Sequence, residues 1–208
     1  MSRIHLMSDQ KRIVLATHNR DKTAEFQAIF ADLGIDVTGL DSYPAIGEVE
    51  ENGETLEENA LKKAREVFKQ TGLPSLADDT GLEVFYLNKA PGVYSARYAG
   101  EGASYRDNVD KLLLALRGVP QRRRGAQFRC VLALVGWDPT DIVAEGVCQG
   151  NITESPRGSN GFGYDPVFVP AGLTLTYAEL DPQTKNAISH RGRAAKEMHE
   201  RMGRAVAK

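Results

Sequence analysis

The sequence has little of several features that would place it in a specialised class. Its 208 residues include two cysteines, Cys130 and Cys148, and neither has a Cys or His partner at zinc-site spacing. We expect both thiols to be reduced and buried. No apolar run approaches the roughly 20 residues of a transmembrane helix, and a formal net charge of -2 attracts neither nucleic acid nor an anionic membrane. We therefore expect a cytoplasmic protein without nucleic-acid or membrane partners.

The composition is that of a globular protein, with 41% hydrophobic and 26% charged residues. A chain of this length is long enough to bury a sizeable core in one domain of two lobes. The polar residues 1–11 are interpreted as an N-terminal extension. Residues 12–208 are interpreted as a single two-lobed domain.

Apolar periodicity predicts helices that alternate with strands, followed by a strand hairpin. Strands are expected at 12–17, 35–40, 75–79, 127–137, 142–152 and 167–169, with 82–87 continuing the third strand in extended form. Helices are expected from about Asp21 to Gly34, from the capping pair Thr55 and Glu58 to Gly72, at 105–116, and at 185–207. The pattern indicates an α/β fold with a mixed sheet, flanking helices, and two lobes around a central cleft.

The first polar motif, Thr17-His18-Asn19-Arg20-Asp21-Lys22, joins the first strand to the first helix. Backbone N–H groups and the helix dipole favour an anion at such a position. Lys22 adds a positive charge for phosphate. The flanking glycines of a Walker loop are missing. A helix cap with a solvated lysine is the alternative interpretation.

The second motif is Ala77-Asp78-Asp79-Thr80-Gly81, which follows a short apolar strand. Adjacent residues of a strand project to opposite faces, so one carboxylate can face a cleft. A divalent cation would relieve the repulsion between the carboxylates. Mg²⁺ needs only one or two carboxylates beside substrate phosphate and water. A turn built from Asp-Asp-Thr-Gly is the alternative.

Two further segments have the composition of a ligand site. Lys185, Ser189, His190 and Arg191 fall within two helical turns and could attract phosphate or bind base carbonyl groups, or they could form an exposed basic helix start. The glycine-rich segment 159–166 could place an aromatic face against a purine, or it could form a tight turn.

Taken together, the motifs resemble the inosine triphosphate pyrophosphatase family over residues 13 to about 202. The resemblance rests on six segments in register, at 17–22, 57–60, 77–82, 91–98, 161–166 and 189–192. It implies an elongated mixed sheet, a homodimer, and hydrolysis of ITP, dITP and XTP to the nucleoside monophosphate and pyrophosphate. It also implies Mg²⁺ as the cofactor.

The family's roles are carried over onto the matching positions. The resemblance implies that Asp79 activates water and that Glu50 and Asp79 hold the metal. It implies that the substrate is bound by Thr17, His18, Asn19, Arg20, Asp21, Lys22, Thr80, Phe162, Gly163, Tyr164, Asp165, Lys185, His190 and Arg191. A nucleotide sensor without hydrolysis is the main alternative, and an RNA-associated protein that uses Arg122–Arg124 is a weaker one.

Overall fold

The chain folds around one mixed β-sheet. The computed structural model describes residues 12–206, so the expected N-terminal extension, residues 1–11, lies outside the described residues. The strands are β1 (Arg12–Leu15), β2 (Asp36–Gly39), β3 (Ser75–Val84), β4 (Pro91–Gly92), β5 (Gly125–Val135), β6 (Ile142–Ile152) and β7 (Phe168–Pro170). The helices are α1 (Arg20–Asp32), α2 (Leu56–Thr71), α3 (Tyr105–Ala115), α4 (Pro182–Ile188) and α5 (His190–Val206).

The sheet combines parallel and antiparallel pairs in the order β2-β1-β3-β5-β6-β7, with β4 also paired to β3. Strand β1 is parallel to β2 and to β3, so that Val14 lies opposite Thr38 on one side and Ser75 on the other. Strands β4 and β7 are antiparallel to β3 and β6. Parallel neighbours need a crossover, and α1 and α2 provide it. The predicted α/β class with a mixed sheet is confirmed.

The chain divides into two compact units. The described residues of unit 1 are 12–79, 131–146 and 191–206, and those of unit 2 are 80–130 and 147–190. In unit 1 the buried face of α1, which carries Phe26 and Phe30, belongs to the same core as β1. In unit 2 the rings of Phe128 and Phe168 meet edge to face at 4.7 Å. A cleft between two lobes stays a prediction.

Several local predictions are confirmed. Thr55 and Glu58 form a capping box at the start of α2, and Gly72 ends that helix in the left-handed conformation with φ of 67°. Both cysteines are free and buried. None of the described helices is long and apolar enough to cross a membrane.

The expectation that the third strand stops at Asp79 is wrong. Strand β3 continues through Asp79, Thr80 and Gly81 to Val84, and all of its residues except Thr80 are buried. The expected extension to Leu87 is also wrong, because residues 85–87 form a 3-10 turn. Burial and pairing with β4 override the turn preference of the Asp-Asp-Thr-Gly sequence.

The single terminal helix expected from Lys185 is wrong as well. Helix α4 begins earlier, at Pro182, where the Asp181 side chain caps it. The chain then becomes extended at Ser189, with ψ of 163°, and α5 begins at His190. Because of this interruption, Lys185 lies in the last turn of α4 and His190 is the first residue of α5. Both side chains are buried.

Truncating a buried ring should show how strongly the aromatic core stabilises unit 2. Phe168 has no exposed surface, so we expect Phe168→Ala to lower the free energy of unfolding by about 3–5 kcal/mol. Phe85 is about half exposed, so we expect Phe85→Ala to change it by less than about 1 kcal/mol. Urea denaturation followed by circular dichroism measures both values. Equal losses in the two variants would contradict the assignment of Phe168 to the core.

Candidate active site

Polar side chains gather in two buried clusters, one in each unit. The carboxylate cluster of unit 1 consists of Lys22, Glu25, Glu51, Asn59, Lys63, Asp78, Asp79 and Arg191. The aromatic cluster of unit 2 consists of Phe128, Phe162, Tyr164, Asp165, Tyr177, Lys185 and His190.

The first motif caps α1, as one of its two interpretations predicted. The Asn19 side-chain oxygen accepts hydrogen bonds from the backbone N–H groups of Asp21 and Lys22, at 3.0 and 3.2 Å. The hydroxyl of Thr17 accepts a hydrogen bond from the Asn19 backbone N–H at 3.1 Å. These bonds hold the turn in the conformation that presents the helix N-terminus.

The remaining side chains of this motif differ in where they lie. Arg20 is 87% exposed and pairs with Asp41 at 3.2 Å. His18 is exposed, and its Nε2 lies 3.1 Å from the carbonyl oxygen of Ile46. Lys22 instead lies mostly buried and donates to a carboxylate of β3. The lysine is therefore not a solvated one, and the structure brings it alone of these three into the carboxylate cluster.

Asp78 is a fully buried carboxylate that two cations compensate. Its Oδ1 accepts a hydrogen bond from Lys22 Nζ at 3.0 Å, and its Oδ2 lies 3.7 Å from Arg191 Nε. Burial alone would raise the pKa of Asp78, but Lys22, Arg191 and Lys63 outweigh it and hold this pKa well below its usual range. Asp78 is therefore ionised at neutral pH and serves as the anchor of the cluster.

Arg191 is buried and belongs to unit 1. Its Nη1 donates to Glu25 Oε2 at 3.1 Å, in addition to the ion pair with Asp78. The interpretation of the segment as an exposed basic helix start is wrong, since Lys185, His190 and Arg191 are all buried. The described ion pairs of Arg191 orient charged groups of unit 1, and a contact with the base stays a prediction.

Asp79 faces a different set of groups from Asp78, as strand alternation predicts. Asn59 Nδ2 donates to its Oδ2 at 3.1 Å, and Lys63 Nζ lies 3.7 Å from its Oδ1. Burial raises the pKa of Asp79, and the charges of Glu51 and Asp78 add to the rise, while Lys63 and Lys22 oppose it. The two adjacent aspartates thus differ in proton affinity because their surroundings differ.

Lys63 connects both aspartates to the acidic loop that precedes α2. Its Nζ donates to the Asp78 backbone oxygen at 2.7 Å and to the Glu51 carboxylate. Burial alone would lower the pKa of Lys63, but Asp79, Glu51 and Asp78 raise it overall. Lys63 therefore remains a cation in the middle of three carboxylates.

The structure brings Glu51 into the cluster through Lys63, whereas Glu50 is exposed and accepts a hydrogen bond from Asn52 Nδ2 at 3.3 Å. Within residues 12–206, no three His, Cys, Asp or Glu side chains lie together as a ready metal site. Mg²⁺ requires fewer protein ligands than that, because it keeps several waters and takes oxygens from substrate phosphate. A role for Glu50 at a metal stays a prediction.

The glycine-rich loop of unit 2 surrounds a buried ion pair. Lys185 Nζ donates to Asp165 Oδ2 at 2.7 Å, and the same oxygen accepts from the Phe162 backbone N–H at 2.9 Å. Lys185 Nζ also lies 5.1 Å from the centre of the Phe162 ring. Gly161 has φ of +71°, and a Cβ there would come 2.1 Å from Asp165 Oδ2, so glycine is required. The tight turn at Gly161 therefore packs directly against the ion pair of Lys185 and Asp165.

Four other predicted residues belong to unit 2, namely Thr80, Gly163, Tyr164 and His190. The ring of His190 is buried and stacks on Phe128 at 4.5 Å. The Tyr164 hydroxyl donates to the Ser95 backbone oxygen at 2.9 Å, and burial raises the pKa of Tyr164. Thr80 is partly exposed in β3. Gly163 has φ of 62° and gives the loop its second left-handed residue.

The sequence interpretation assigned a site role neither to Asn59, which lies in the segment 57–60 that supports the resemblance, nor to Lys63, although a signal was available. The buried face of α2 is formed by Leu56, Asn59, Ala60, Lys63, Ala64 and Val67. Two polar residues therefore stand at helical spacing on an otherwise apolar stripe. A buried polar group needs a partner, so this pattern predicts an interaction with a polar group of the core.

The buried Asp78 should make stability depend on pH. Because the pKa of Asp78 is lower in the folded protein than in the unfolded chain, ionised Asp78 stabilises the fold above about pH 4, and this stabilisation is lost as pH falls further. We expect Asp78→Asn to unfold more easily than the parent at neutral pH, by about 3–5 kcal/mol, because two cations lose their partner. The difference in free energy of unfolding between the parent and Asp78→Asn should shrink towards pH 3. Urea denaturation across this pH range measures it. A difference that does not change with pH would contradict this description.

The chain is similar to one protein family, to named relatives and to solved structures. The Ham1 family model matches residues 13–201. The dITP/XTP pyrophosphatase of Vibrio cholerae is 50% identical over 190 residues, which is 90% of this chain and 94% of that protein. A HAM1 protein structure from Coxiella burnetii matches with a TM-score of 0.82 and 46% identity, covering 93% of this chain and 99% of that one. The Ham1 protein of Staphylococcus aureus matches with a TM-score of 0.80 and 41% identity, covering 93% and 98%. The chain belongs to the Ham1 family.

Proposed function

We propose that this protein hydrolyses dITP, ITP and XTP to the nucleoside monophosphate and pyrophosphate, and so removes these nucleotides from the pool. The observation that carries the proposal is the pair of adjacent buried aspartates. Asp78 is held ionised by cations, while burial raises the proton affinity of its neighbour Asp79. Relatives of the same length that are about half identical carry the name dITP/XTP pyrophosphatase. The raised proton affinity supports a general base more than it supports a passive nucleotide sensor.

The phosphates are assigned to the segment from Thr17 to Lys22. The backbone N–H groups at the start of the 13-residue helix α1 and its dipole favour an anion. Lys22 adds a cation beside them, and its ion pair with Asp78 keeps the ammonium group at the end of this segment. His18, Arg20 and Asp21 belong to the same segment, and their contacts with the substrate stay predictions.

Asp79 is assigned the proton-transfer step. A carboxylate whose pKa is raised accepts a proton from water more readily than an ordinary one does. As water loses its proton to Asp79, its oxygen bonds to the α-phosphorus. The bond from the α-phosphorus to the bridging oxygen breaks, and that oxygen leaves as part of pyrophosphate. Lys63, which lies 3.7 Å from Asp79 Oδ1, stabilises the carboxylate before it takes up the proton.

The donor set of unit 1 is chemically suited to Mg²⁺. Mg²⁺ prefers oxygen ligands. It would also relieve the repulsion between Asp79 and the negative charges of Glu51 and Asp78 nearby. Asp79 would hold the ion together with a carboxylate of the acidic loop, for which the resemblance names Glu50. When bound, the ion would neutralise negative charge on the phosphates.

The base is assigned to the aromatic cluster, with Phe162, Tyr164, Asp165, Lys185 and His190 as its members. Lys185 is a buried donor beside an aromatic ring, which suits the 6-keto oxygen of hypoxanthine or xanthine. Adenine carries an amino group at that position, which cannot accept from Lys185, so the hydrogen bond that a keto oxygen would add to the one between Lys185 and Asp165 is lost, at a cost of about 1–3 kcal/mol. Gly163, Thr80 and Arg191 stay predicted substrate contacts.

The wider assignments rest on the resemblance to the family and on the composition and charge of the chain. A homodimer, a cytoplasmic location, Mg²⁺ dependence and the lack of nucleic-acid or membrane partners are our predictions for this chain. Of the three arginines behind the RNA-associated alternative, Arg124 is buried and donates to the backbone oxygens of Val119, Thr153 and Leu116, which leaves Arg122 and Arg123 as the exposed pair.

Pyrophosphate release tests both the activity and the role of Asp79. With Mg²⁺ present, the parent should release pyrophosphate from dITP, ITP and XTP much faster than from dATP and only moderately faster than from dGTP, and a chelator should stop the reaction. Asp79→Asn keeps the shape of the side chain but cannot accept the proton, so kcat should fall by about 10³-fold. Asp36→Asn, at an exposed aspartate, is the matched control and should retain parental activity. Nucleotide binding without release by the parent would favour the sensor instead.

Lys185 should control the choice of base. Lys185→Met removes the buried donor but keeps much of the apolar length, so the ratio of kcat/KM for dITP to that for dATP should fall about tenfold or more. Lys196→Met, at an exposed lysine of α5, is the control. Thermal melts of both variants show whether they are folded. An unchanged ratio in folded Lys185→Met would move base recognition to other residues.

A further inference from the structure

Asn59 is a buried amide on the apolar face of α2 and has two polar partners. Its Nδ2 donates to Asp79 Oδ2 at 3.1 Å, and its Oδ1 accepts from the Gly53 backbone N–H at 2.8 Å. The residue is 1% exposed. An asparagine in this position loses side-chain solvation on burial, so the two hydrogen bonds are what stabilise it there.

The acidic loop approaches this amide so closely that a side chain would not fit. A Cβ on Gly53 would lie 2.8 Å from Asn59 Oδ1 and 2.9 Å from Glu58 Cβ. Glu58 accepts hydrogen bonds from the backbone N–H groups of Glu54 and Thr55, which fixes the next turn of the loop to α2. The Asn59 amide therefore bonds through its oxygen to the loop that carries Glu50 and Glu51, and through its nitrogen to Asp79.

We propose that Asn59 is a positioning residue that holds the Asp79 carboxylate and the acidic loop in one fixed arrangement. The inference rests on the proposed function, because it concerns the residue assigned to proton transfer. A terminal carboxylate rotates broadly about its last torsion. The Asn59 hydrogen bond to Oδ2 and the Lys63 cation near Oδ1 together select one orientation of the Asp79 carboxylate.

An orientation fixed in this way should affect turnover more than substrate capture. Asn59 contacts neither the Thr17–Lys22 segment nor the aromatic cluster in its described hydrogen bonds. Loss of the Asn59 side chain should leave phosphate and base binding unchanged, while the Asp79 carboxylate and the acidic loop adopt other positions as well. Supporting contacts of this kind typically contribute about 10- to 100-fold to activity.

Two variants separate the two halves of the role. Asn59→Ala removes both hydrogen bonds. Asn59→Asp keeps the size and the acceptor for Gly53 N–H but loses the donor to Asp79. The matched control is Asn108→Ala, because Asn108 is another buried helical asparagine that joins two backbone groups, Ala96 O at 3.0 Å and Ala99 N at 2.7 Å, and holds no carboxylate in these bonds.

Steady-state hydrolysis of dITP, thermal melts and circular dichroism are measured on all four proteins. We expect both Asn59 variants to lose about 10- to 100-fold in kcat, with KM within about threefold of the parent. Asn108→Ala should melt earlier yet keep the parental kcat at a temperature where it is folded. If Asn59→Ala does not fold, the isosteric Asn59→Asp decides the question.

Three results would overturn the inference. They are a parental kcat in folded Asn59→Asp, a loss in Asn108→Ala as large as that in the Asn59 variants, and a loss confined to KM. Failure of the parent itself to hydrolyse any of the nucleotides would instead count against the proposed function, so the two failures are distinguishable.

Discussion

An ionised carboxylate that is withdrawn from water costs several kcal/mol unless cations replace the water, and Asp78 is such a group in unit 1. Its compensation requires Lys22 from α1 and Arg191 from α5, while Lys63 from α2 binds the backbone of the same residue. Elements far apart in the chain must therefore meet at one point of β3. Removing any one partner leaves a buried charge with less compensation, which destabilises the fold.

Two adjacent aspartates acquire opposite properties from this arrangement. Cations surround Asp78 and lower its pKa, whereas burial raises that of Asp79. The alternation of side chains along a strand explains the difference, because it directs the two carboxylates to different helices. The ionised carboxylate of Asp78 and the carboxylate of Asp79, to which we assign proton transfer, are thus neighbours in sequence.

Unit 2 also contains a buried carboxylate, Asp165, and compensates its charge differently. Lys185 and Asp165 form a single buried ion pair among aromatic rings, and glycine lets the loop at 161–163 pass close to the carboxylate. We propose that this ion pair among rings receives the purine. The cluster of unit 1 is rich in charge and that of unit 2 in rings, and this contrast is why we assign the triphosphate to the first and the base to the second.

The sequence alone determined which segments are helices and strands, the cap of α2, the class of the fold and the motifs at which polar groups gather, because these depend on local periodicity and on residue type. It misplaced the end of β3 and the break at Ser189, since the turn preference of Asp-Asp-Thr-Gly and the helix preference near Lys185 are weaker than burial. Only the tertiary structure decided that Asp78 is an anchor, that Arg191 joins unit 1, and that Asn59 and Lys63 face the aspartates. The physical reason is that pKa values and ion pairs depend on groups brought together from distant parts of the chain, which no local pattern specifies.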